Sequence, residues 1–412
     1  MYPKVRSFAL VLNGAMAMKY SITQKTLLLY KVSDMNCCVR LLGLLLVIMG
    51  FGCQSDRSQT PMAQSHNTVR YAQGFALQNY NDLTVVTVRN PWPEARQTYR
   101  YVLYKKGARI PDSLQQLPAI RIPIQKIVVT STTHIPSLEM LKKVPTLIGF
   151  PQLQYISSAQ VQARIARGKV AELGKNQSLN IERLITLQPE VVIGYGIDNH
   201  NPTLDNVQRS GLKVMLNGDW NEQTPLGRAE WIKFFGALYD AQDEAESVFT
   251  KIEKDYLNTK RIAARAPNAP TVMAGDVFEG QWYLPKGDSW GSLLLKEARG
   301  NYLWSATKGT GSLALSFETV FEKAHNADLW ITSGQFQTLS EMAAQNPHYR
   351  QFKAFKNQKV YSFHRKKGKN GGSLYYELAP NRPDLVLKDL VKILHPELLP
   401  SYQPYFFMPL QP

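Results

Sequence analysis

The stretch from Glu222 to Arg265 constrains the fold most, because it holds the longest helical pattern in the chain. A first helix is predicted from Glu230 to Leu238, and Asp240 is a suitable N-cap for a second helix over residues 241–265. The second helix has one apolar face, formed by Ala245, Val248, Phe249, Ile252, Tyr256 and Leu257. At ~1.5 Å per residue this helix would span roughly 37 Å, which is about the diameter of a small domain.

Strand patterns alternate with helix patterns on both sides of this stretch. The predicted strands are Ile127–Val129, Thr146–Gly149, Val191–Ile193, Lys213–Leu216, Thr271–Ala274, Leu329–Thr332 and Lys359–Phe363. Such alternation predicts a mainly parallel sheet with helices on its faces. We therefore predict an α/β fold of two Rossmann-like lobes with mainly parallel sheets, joined by one long rigid helix. A single domain that carries a long surface helix is the alternative.

A strand-rich appendage precedes the alternating part. Thr84–Val88 is rich in β-branched residues, Tyr99–Tyr104 alternates, and the turn signal Asn90–Pro93 lies between them, which predicts antiparallel strands. The predicted segments are a leader at 1–52, a flexible tether at 53–70, an N-terminal lobe with the strand-rich start at 71–225, linking helices at 226–267 and a C-terminal lobe at 268–412.

The chain has three cysteines, and they lie within the leader or directly after it: Cys37, Cys38 and Cys53. The lobes are therefore expected to fold without disulfides. The apolar run Leu41–Gly52 has 12 residues, which is short for a membrane span but typical of the apolar core of a signal peptide. With Arg40 before it and small residues ahead of Cys53, it resembles a bacterial lipoprotein signal in which Cys53 becomes the acylated first residue. An ordinary apolar helix that ends in cysteine is the alternative.

The residues around this signal suggest where the natural chain starts. Residues 1–34 fit poorly in front of a signal peptide, whereas Met35 gives a normal short start. We therefore expect a signal peptide at about 35–52 and a mis-called start at 1–34. The acylated product would be attached to a membrane in the periplasm or cell envelope.

Charge and motifs exclude several classes of function. The formal net charge is +16, to which residues 1–52 contribute +5. A basic surface suits an anionic ligand, a membrane or nucleic acid, but no zinc-finger spacing or RNA-recognition signature occurs, so we expect no nucleic-acid partner. The sequence has no phosphate-binding loop and no His-Glu-x-x-His, and its seven histidines are not paired at metal-ligand spacing. We therefore predict neither an enzyme nor a bare metal site.

One sequence unit occurs once in each predicted lobe. Asn180-Ile181-Glu182-Arg183-Leu184 precedes the strand at Val191, and Ser316-Phe317-Glu318-Thr319-Val320 precedes the strand at Leu329. Asn180 and Ser316 are good N-caps, which puts each glutamate in the first turn of a helix. The helix dipole stabilises an anion there by ~0.3–1 kcal/mol, and this local effect alone accounts for either glutamate. The paired occurrence indicates a shared role.

The order and spacing of these features resemble a known family. Cys53, the repeated unit, the single linking helix and the closing Pro383–Leu390 are similar to those of substrate-binding lipoproteins of bacterial ABC importers for ferric siderophores, haem and vitamin B12, the class III periplasmic-binding proteins. The resemblance covers roughly residues 122–400. It implies two lobes that hold one ligand between them, with Glu182 and Glu318 at the lobe tips docking on the membrane permease. It also implies a separate ATPase, and no cofactor except iron or cobalt within the ligand. We expect a monomer.

Ligand-binding residues are expected outside the carboxyl ends of the strands, as in other open α/β sheets. The candidates that follow predicted strands are Tyr195, Trp220, Phe278, Trp282, Tyr283 and Arg365. The aromatic residues suit a large flat ligand such as a corrin, a porphyrin or a catecholate chelate, and Arg365 with its lysine neighbours suits ligand carboxylates or an anionic chelate. Packing against neighbouring elements is the alternative for each.

A single histidine could also serve as an axial ligand of haem iron, with His134, His200 and His364 as candidates. The predicted function is thus a lipid-anchored substrate-binding component of an ABC importer that captures a ferric siderophore, haem or cobalamin. A surface lipoprotein that captures ligand without its own importer, and an unrecognised α/β enzyme, are the alternatives.

Overall fold

The first sheet of the protein lies near its N-terminus. The computed structural model describes residues 67–412 except 197, 199, 200, 369 and 370, so Cys53, the leader and most of the predicted tether lie outside the described residues. The strands of this sheet are β1 (Phe75–Asn79), β2 (Leu83–Val88), β3 (Tyr99–Lys105) and β4 (Ala119–Ile122). Strands β1, β2 and β3 pair antiparallel, as predicted, whereas β4 runs parallel to β3.

This sheet is part of the first lobe and not a separate appendage. Phe75, Val86 and Tyr101 are buried in the same core as Val129 and Ile193 of the following α/β sheet. The backbone N–H of Leu216 donates a hydrogen bond of 3.1 Å to the Tyr101 hydroxyl. The predicted strand region 71–104 therefore continues to Ile122 and shares its apolar burial with the lobe.

The first lobe is built on a parallel sheet of five strands. The strands of this lobe are β5 (Ile127–Val129), β6 (Leu147–Phe150), β7 (Ala171–Glu172), β8 (Gly174–Lys175), β9 (Ser178–Leu179), β10 (Val191–Gly194) and β11 (Val214–Leu216). Strands β8 and β9 form a small separate hairpin. The helices are α1 (Ile135–Met140), α2 (Ala159–Ala166), α3 (Ile181–Leu187) and α4 (Pro202–Arg209). The sheet order is β11-β10-β5-β6-β7, with all neighbours parallel.

Three helices lead from the first lobe to the second: α5 (Pro225–Glu230), α6 (Ile232–Leu238) and α7 (Gln242–Ala263). The prediction that Asp240 caps the long helix is wrong. Asp240 has a left-handed φ of 51°, the N-cap is Ala241, and the Asp240 carboxylate pairs with the Lys105 ammonium at 2.9 Å. A residue in that conformation turns the chain between two helices and cannot present its side chain to the next helical N–H groups.

Helix α7 joins the two hydrophobic cores. Ala245, Phe249 and Ile252 are buried in the core of the first lobe, whereas Tyr256 and Ala263 are buried in that of the second. Its 22 residues span about 33 Å. Leu257, predicted on the buried face, is 43% exposed. The single helix that joins the lobes is thus anchored by apolar packing at both ends.

The second lobe repeats the α/β plan. Its strands are β12 (Thr271–Ala274), β13 (Asp276–Phe278), β14 (Gln281–Pro285), β15 (Asn301–Tyr302), β16 (Ser312–Leu315), β17 (Leu329–Thr332), β18 (Val360–Ser362) and β19 (Met408–Pro409). The helices are α8 (Trp290–Glu297), α9 (Phe317–Ala324), α10 (Leu339–Gln345), α11 (Lys353–Lys356), α12 (Leu374–Leu378) and α13 (Pro383–Leu394). The main sheet has the order β15-β12-β17-β18-β19, in which only the β18–β19 pair is antiparallel, and β13-β14-β16 form a smaller sheet. The predicted fold class is confirmed.

The chain segment just before β1, residues 68–74, is fixed along the linking helices. The buried Glu230 carboxylate accepts hydrogen bonds from the backbone N–H groups of Arg70, Tyr71 and Ala72, at 2.6–3.1 Å. The Lys233 ammonium pairs with Glu230 at 2.8 Å and donates to the Thr68 carbonyl at 2.8 Å. The end of the segment predicted as a flexible tether is therefore held by a buried ion pair.

Within the described part of the chain, no helix is long and apolar enough to cross a membrane.

Candidate functional site

Two cavities lie at the carboxyl ends of the parallel strands, and residues of both lobes line the first of them. The first-lobe cavity, of about 360 Å³, is lined by Thr130, Ser131, Thr132, Phe150, Pro151, Gln152, Tyr155, Asn176, Tyr195, Gly372, Ser373 and Tyr376. The second-lobe cavity, of about 450 Å³, has an apolar lining that includes Tyr283, Trp290, Phe363, Tyr375, Tyr376 and Phe407. Tyr376 borders both, so we treat the two cavities as one cleft. Ligands bind at this edge of open α/β sheets, and the volumes are those of small-molecule sites.

A larger hollow, of about 790 Å³, lies at the opposite edge of the second lobe. It is lined by residues before the strands, such as Pro270, Asp328 and Lys359. The amino ends of parallel strands are not where such folds bind ligands. The cleft between the lobes is the better candidate.

Two of the predicted ligand-binding residues line the cleft. Tyr195 follows β10 and lines the first-lobe cavity, where its hydroxyl accepts a hydrogen bond of 3.3 Å from the Asn176 amide. Tyr283, on β14, lines the second-lobe cavity. Phe278 is 64% exposed and its ring lies 6.4 Å from that of Tyr283, but it lines neither cavity.

The prediction that Trp282 contacts the ligand is wrong. Its side chain is wholly buried, its ring stacks on Trp330 with centroids 5.2 Å apart, and its Nε1–H donates to the Ala274 carbonyl at 2.9 Å. Successive residues of a strand point to opposite faces of the sheet. Since Tyr283 faces the cleft, Trp282 must face the core.

Trp220 and Arg365, which were also predicted to bind the ligand, line neither cavity. Trp220 packs against Trp92 and Leu204, and its Nε1–H donates to the Gly196 carbonyl at 3.1 Å. The Arg365 guanidinium donates to the Pro409 carbonyl at 2.6 Å, which ties it to the C-terminal strand. Of its lysine neighbours, Lys366 lies over the Tyr405 ring and Lys367 donates to Gln335, while Lys369 is outside the described residues.

Sequence reasoning missed the cleft residues Tyr155, Trp290 and Tyr376. Tyr155 and Tyr376 are 53% and 54% exposed, which is high for large aromatic side chains. Tyr155 lies five residues after β6, in the loop that follows the predicted strand Thr146–Gly149. Tyr376 follows the glycine-rich segment 368–373. The sequence signal that could have identified them is an aromatic residue that closely follows a parallel strand or a glycine-rich loop.

A set of hydrogen bonds fastens the lobes together beside the cleft. The backbone N–H of Ser157 donates to the Glu377 carboxylate at 2.5 Å, and the Ser157 hydroxyl donates to the Gly372 carbonyl at 3.0 Å. The Asn381 amide donates to the Thr133 carbonyl at 2.8 Å. A Cβ on Gly372 would lie 2.3 Å from the Tyr155 carbonyl oxygen, so only glycine permits this approach. We call Ser157, Glu377, Gly372 and Asn381 the latch.

The latch contains one carboxyl group, that of Glu377, which forms no ion pair with a described residue. Burial raises the pKa of Glu377 to about 7, the Ser157 N–H partly offsets this, and the nearby Glu139 carboxyl raises it further. Burial also raises the pKa of Glu139, whose carboxylate accepts from the Ser158 hydroxyl. Two carboxyl groups therefore approach each other where the lobes meet.

Two of the candidate haem ligands, His134 and His364, do not line the cleft. His134 is wholly buried beside Phe235, and burial lowers its pKa. His364 is 6% exposed and packs against Phe363 and Tyr376. His200 is outside the described residues. In the described ranges no three His, Cys, Asp or Glu side chains converge on a point that could hold a metal ion.

The repeated unit has the predicted local structure in both lobes. The Asn180 side chain accepts from the Arg183 N–H at 2.8 Å, and the Ser316 hydroxyl accepts from the Thr319 N–H at 3.2 Å. Glu182 and Glu318 are exposed in the first turns of α3 and α9. Hydrogen bonds from its own N–H and from Ser316 lower the pKa of Glu318. Each helix precedes a parallel strand, so its N-terminus lies at the carboxyl edge of the sheet, on the side of the cleft.

Comparisons with known proteins agree with this geometry. The family described as periplasmic binding protein matches residues 127–366. An uncharacterized lipoprotein of Methanocaldococcus jannaschii is 25% identical over 381 residues, 86% of this chain and 89% of its own length, and a second is 26% identical over 360 residues, 84% and 87%.

Solved structures share the fold. A periplasmic heme binding protein from Pseudomonas aeruginosa superposes with a TM-score of 0.51 at 16% identity, over 70% of this chain and 99% of that one. A possible iron-binding, periplasmic solute-binding protein from Staphylococcus epidermidis gives a TM-score of 0.51 at 16% identity, over 66% and 99%.

Two α/β lobes, one linking helix and a cleft between the lobes define a solute-binding protein. The family match covers more than half of the chain, so this protein belongs to the periplasmic binding protein family, the substrate-binding proteins of ABC transporters. Members of this family bind solutes and are not enzymes, so the alternative of an α/β enzyme is wrong.

Proposed function

We propose that this protein is the lipid-anchored substrate-binding component of an ABC importer that captures an iron complex, either a ferric siderophore or haem, or a cobalamin, and delivers it to the permease. The observation that carries the proposal is the aromatic cleft between the lobes. Tyr155 and Tyr195 from the first lobe, and Tyr283, Trp290 and Tyr376 from the second, border it. Such rings suit the flat faces of a macrocycle or chelate.

The anchor in this proposal is Cys53, which follows the apolar run of the leader. Two relatives are named lipoproteins, which supports the same anchoring here. Residues 68–74, fixed on the linking helices, would then join the folded part to the anchor. Mass spectrometry of the native protein should detect a lipid-modified N-terminal peptide that begins at Cys53. An unmodified peptide that spans Cys53 contradicts the anchor.

Glu182 and Glu318 are the proposed contacts with the permease. Both are exposed, both lie at the cleft edge of their lobes, and Ile185 beside the first is 49% exposed. An exposed glutamate with an apolar neighbour suits a docking surface of opposite charge. Docking by both lobes at once would present the ligand at the mouth of the permease.

The test combines ligand titration with charge reversal. Purified full-length protein in detergent is titrated with cyanocobalamin, haem and a panel of ferric siderophores, and saturable one-to-one binding of one class is expected. Glu182→Lys and Glu318→Lys should abolish uptake by cells and leave the affinity for that ligand unchanged. Glu322→Lys, an exposed position on α9 with the same charge change, is the matched control and should transport normally.

Each failure has a separate meaning. Normal uptake by both charge-reversed variants, together with ligand binding, would indicate a capture lipoprotein that works without its own permease. Absence of binding to every complex in the panel would contradict the proposed ligand class.

A further inference from the structure

The cleft differs from the surface of the protein in its charge. The chain has a formal net charge of +16. Neither of the two main cavities of the cleft, however, is lined by a described Lys, Arg, His, Asp or Glu side chain. A smaller neighbouring cavity of about 230 Å³, which shares Thr130, Asn176 and Tyr195, adds one ionisable group apart from tyrosine, the carboxylate of Asp198.

The polar groups that do line the cleft are hydroxyls and amides. Thr130, Ser131 and Thr132 follow β5, Gln152 and Asn176 come from neighbouring loops, and Ser373 comes from the opposite lobe. The Ser373 hydroxyl oxygen is buried and has no hydrogen-bond partner within the described part of the chain. Such groups satisfy neutral donors and acceptors and provide no countercharge.

Two basic side chains near the cleft, Arg228 and Arg365, contact other protein groups. Arg228 lies behind the cleft residue Trp290, with its guanidinium carbon 4.9 Å from the ring centroid, and donates to the carbonyls of Trp220 and Glu222 at 2.6 and 2.9 Å. The Asp219 and Glu222 carboxylates lie close enough to stabilise its charge. Arg365 is tied to Pro409. Neither arginine lines the two cavities of the cleft.

The buried acidic groups next to the cleft would oppose an anion. Glu377 and Glu139 meet at the latch. Asp276, directly after Gly275 of the second-lobe lining, is buried and accepts from the Tyr349 hydroxyl at 3.1 Å. A charged ligand enclosed by the lobes would lose its hydration without gaining an opposite charge.

We propose that the cleft selects an electrically neutral metal complex, such as a ferric trihydroxamate or a cyanocobalamin-type corrinoid, over the anionic ferric tris-catecholates and over haem with its two carboxylates. Three singly charged hydroxamates neutralise one ferric ion, whereas three doubly charged catecholates leave three negative charges. The inference rests on the proposed function and narrows its ligand class.

The experiment measures dissociation constants by calorimetry on the full-length protein in detergent, with a neutral ferric trihydroxamate, cyanocobalamin, a ferric tris-catecholate and haem as probes. A neutral probe should bind at least about 100-fold more tightly than both anionic probes. Comparable or tighter binding of an anionic probe overturns the inference and leaves the proposed function standing. Absence of binding to all four overturns both.

A matched pair of variants tests the cause. Ser333 lines the second-lobe cavity after β17. Ser333→Lys should bind the tris-catecholate at least about tenfold more tightly than Ser333→Met, which has a side chain of similar length and no charge. Equal affinities would show that cleft charge does not set selectivity. Lys369 is a basic residue outside the described part of the chain, and Lys369→Gln tests its role. The variant should bind the neutral probe as tightly as the wild type does. If the wild type binds an anionic probe tightly and the variant loses that binding, the inference is overturned.

Discussion

Two buried glutamates fasten parts of this protein together, and they do so in opposite electrostatic surroundings. Glu230 binds three backbone N–H groups of residues 70–72 and pairs with the Lys233 ammonium, whose side chain is 4% exposed. Glu377 accepts the Ser157 N–H across the cleft and has the Glu139 carboxyl nearby. The first fastening keeps its charge balanced, whereas the second becomes less favourable when it ionises. The difference suits a permanent fastening beside the linking helix and a releasable latch at the cleft. We call Glu230, Lys233 and residues 70–72 the brace.

The largest effect is expected at the brace. Glu230→Ala would leave Lys233 with Glu246 as its remaining carboxylate and three N–H groups without acceptors, and should lower the free energy of unfolding by about 3–5 kcal/mol. Urea unfolding measures this change. Glu253→Ala removes a less buried carboxylate that accepts from the Tyr71 hydroxyl and should cost roughly 1 kcal/mol. Equal losses of unfolding free energy in the two variants would contradict the special role of Glu230 in the brace.

The latch should weaken as the pH rises. The pKa of Glu377 increases from its ordinary 4.5 to about 7, so the native state keeps a proton that the unfolded state has lost between these pH values. Its contribution to stability is therefore complete below pH 4.5 and is lost as pH rises through 7, by roughly 3 kcal/mol.

Glu377→Gln keeps an acceptor for the Ser157 N–H but does not titrate, so it should remove this part of the pH dependence. Urea unfolding at pH 5 and pH 8 measures the fall in stability for this variant and for the wild type. The comparison with the wild type is needed because the raised pKa values of Glu139 and Asp276 also lower stability as the pH rises. Glu318→Gln, an exposed carboxylate with a lowered pKa, should retain the wild-type fall. An unchanged fall in Glu377→Gln would contradict the assignment.

A smaller effect is expected from the neutral part of the latch. Asn381→Ala removes hydrogen bonds of 2.9 Å from the Ser137 hydroxyl and 2.8 Å to the Thr133 carbonyl, and should cost about 1–3 kcal/mol. Small-angle scattering should show a larger radius of gyration, because these bonds join the lobes. Ser137→Ala removes one of the two bonds and should have the weaker effect. An unchanged radius for Asn381→Ala would mean that apolar contacts alone hold the lobes.

The smallest effect is expected at the outer edge of the brace. Arg70 pairs with Glu246 and Glu253 at 3.1 and 3.0 Å, but its side chain is 47% exposed. Arg70→Ala should cost less than about 1 kcal/mol, and less still in high salt. Unfolding measurements at two salt concentrations check this. A loss as large as that of Glu230→Ala would show that the brace depends on its exposed charges.

Much of the fold followed from local patterns. The apolar spacing of the long helix placed it within a few residues, and the N-caps Asn180 and Ser316 placed α3 and α9. The error at Asp240 has a local cause as well. Aspartate suits both an N-cap and a left-handed turn residue, and the Lys105 pairing that accompanies the turn comes from a distant strand.

The ligand-facing residues were less predictable. Trp282 and Tyr283 both follow a predicted strand, but which of two adjacent residues faces the cleft depends on the register of β14 against β16, where Tyr283 pairs with Ala314. Tyr376 reaches the cleft because Gly368 and Gly372 pack against Ser157 and Tyr155 of the other lobe. The brace at Glu230 joins residues 158–160 positions apart.

The sequence by itself determined the two α/β lobes, the helix between them and the repeated glutamates, because periodicity and caps act over a few residues of chain. Tertiary structure decided which aromatic side chains meet across the cleft, that no described charged side chain lines its two main cavities, and which buried carboxyl groups are balanced. These properties arise when segments more than 200 residues apart come together and exclude water, as at Ser157 and Glu377.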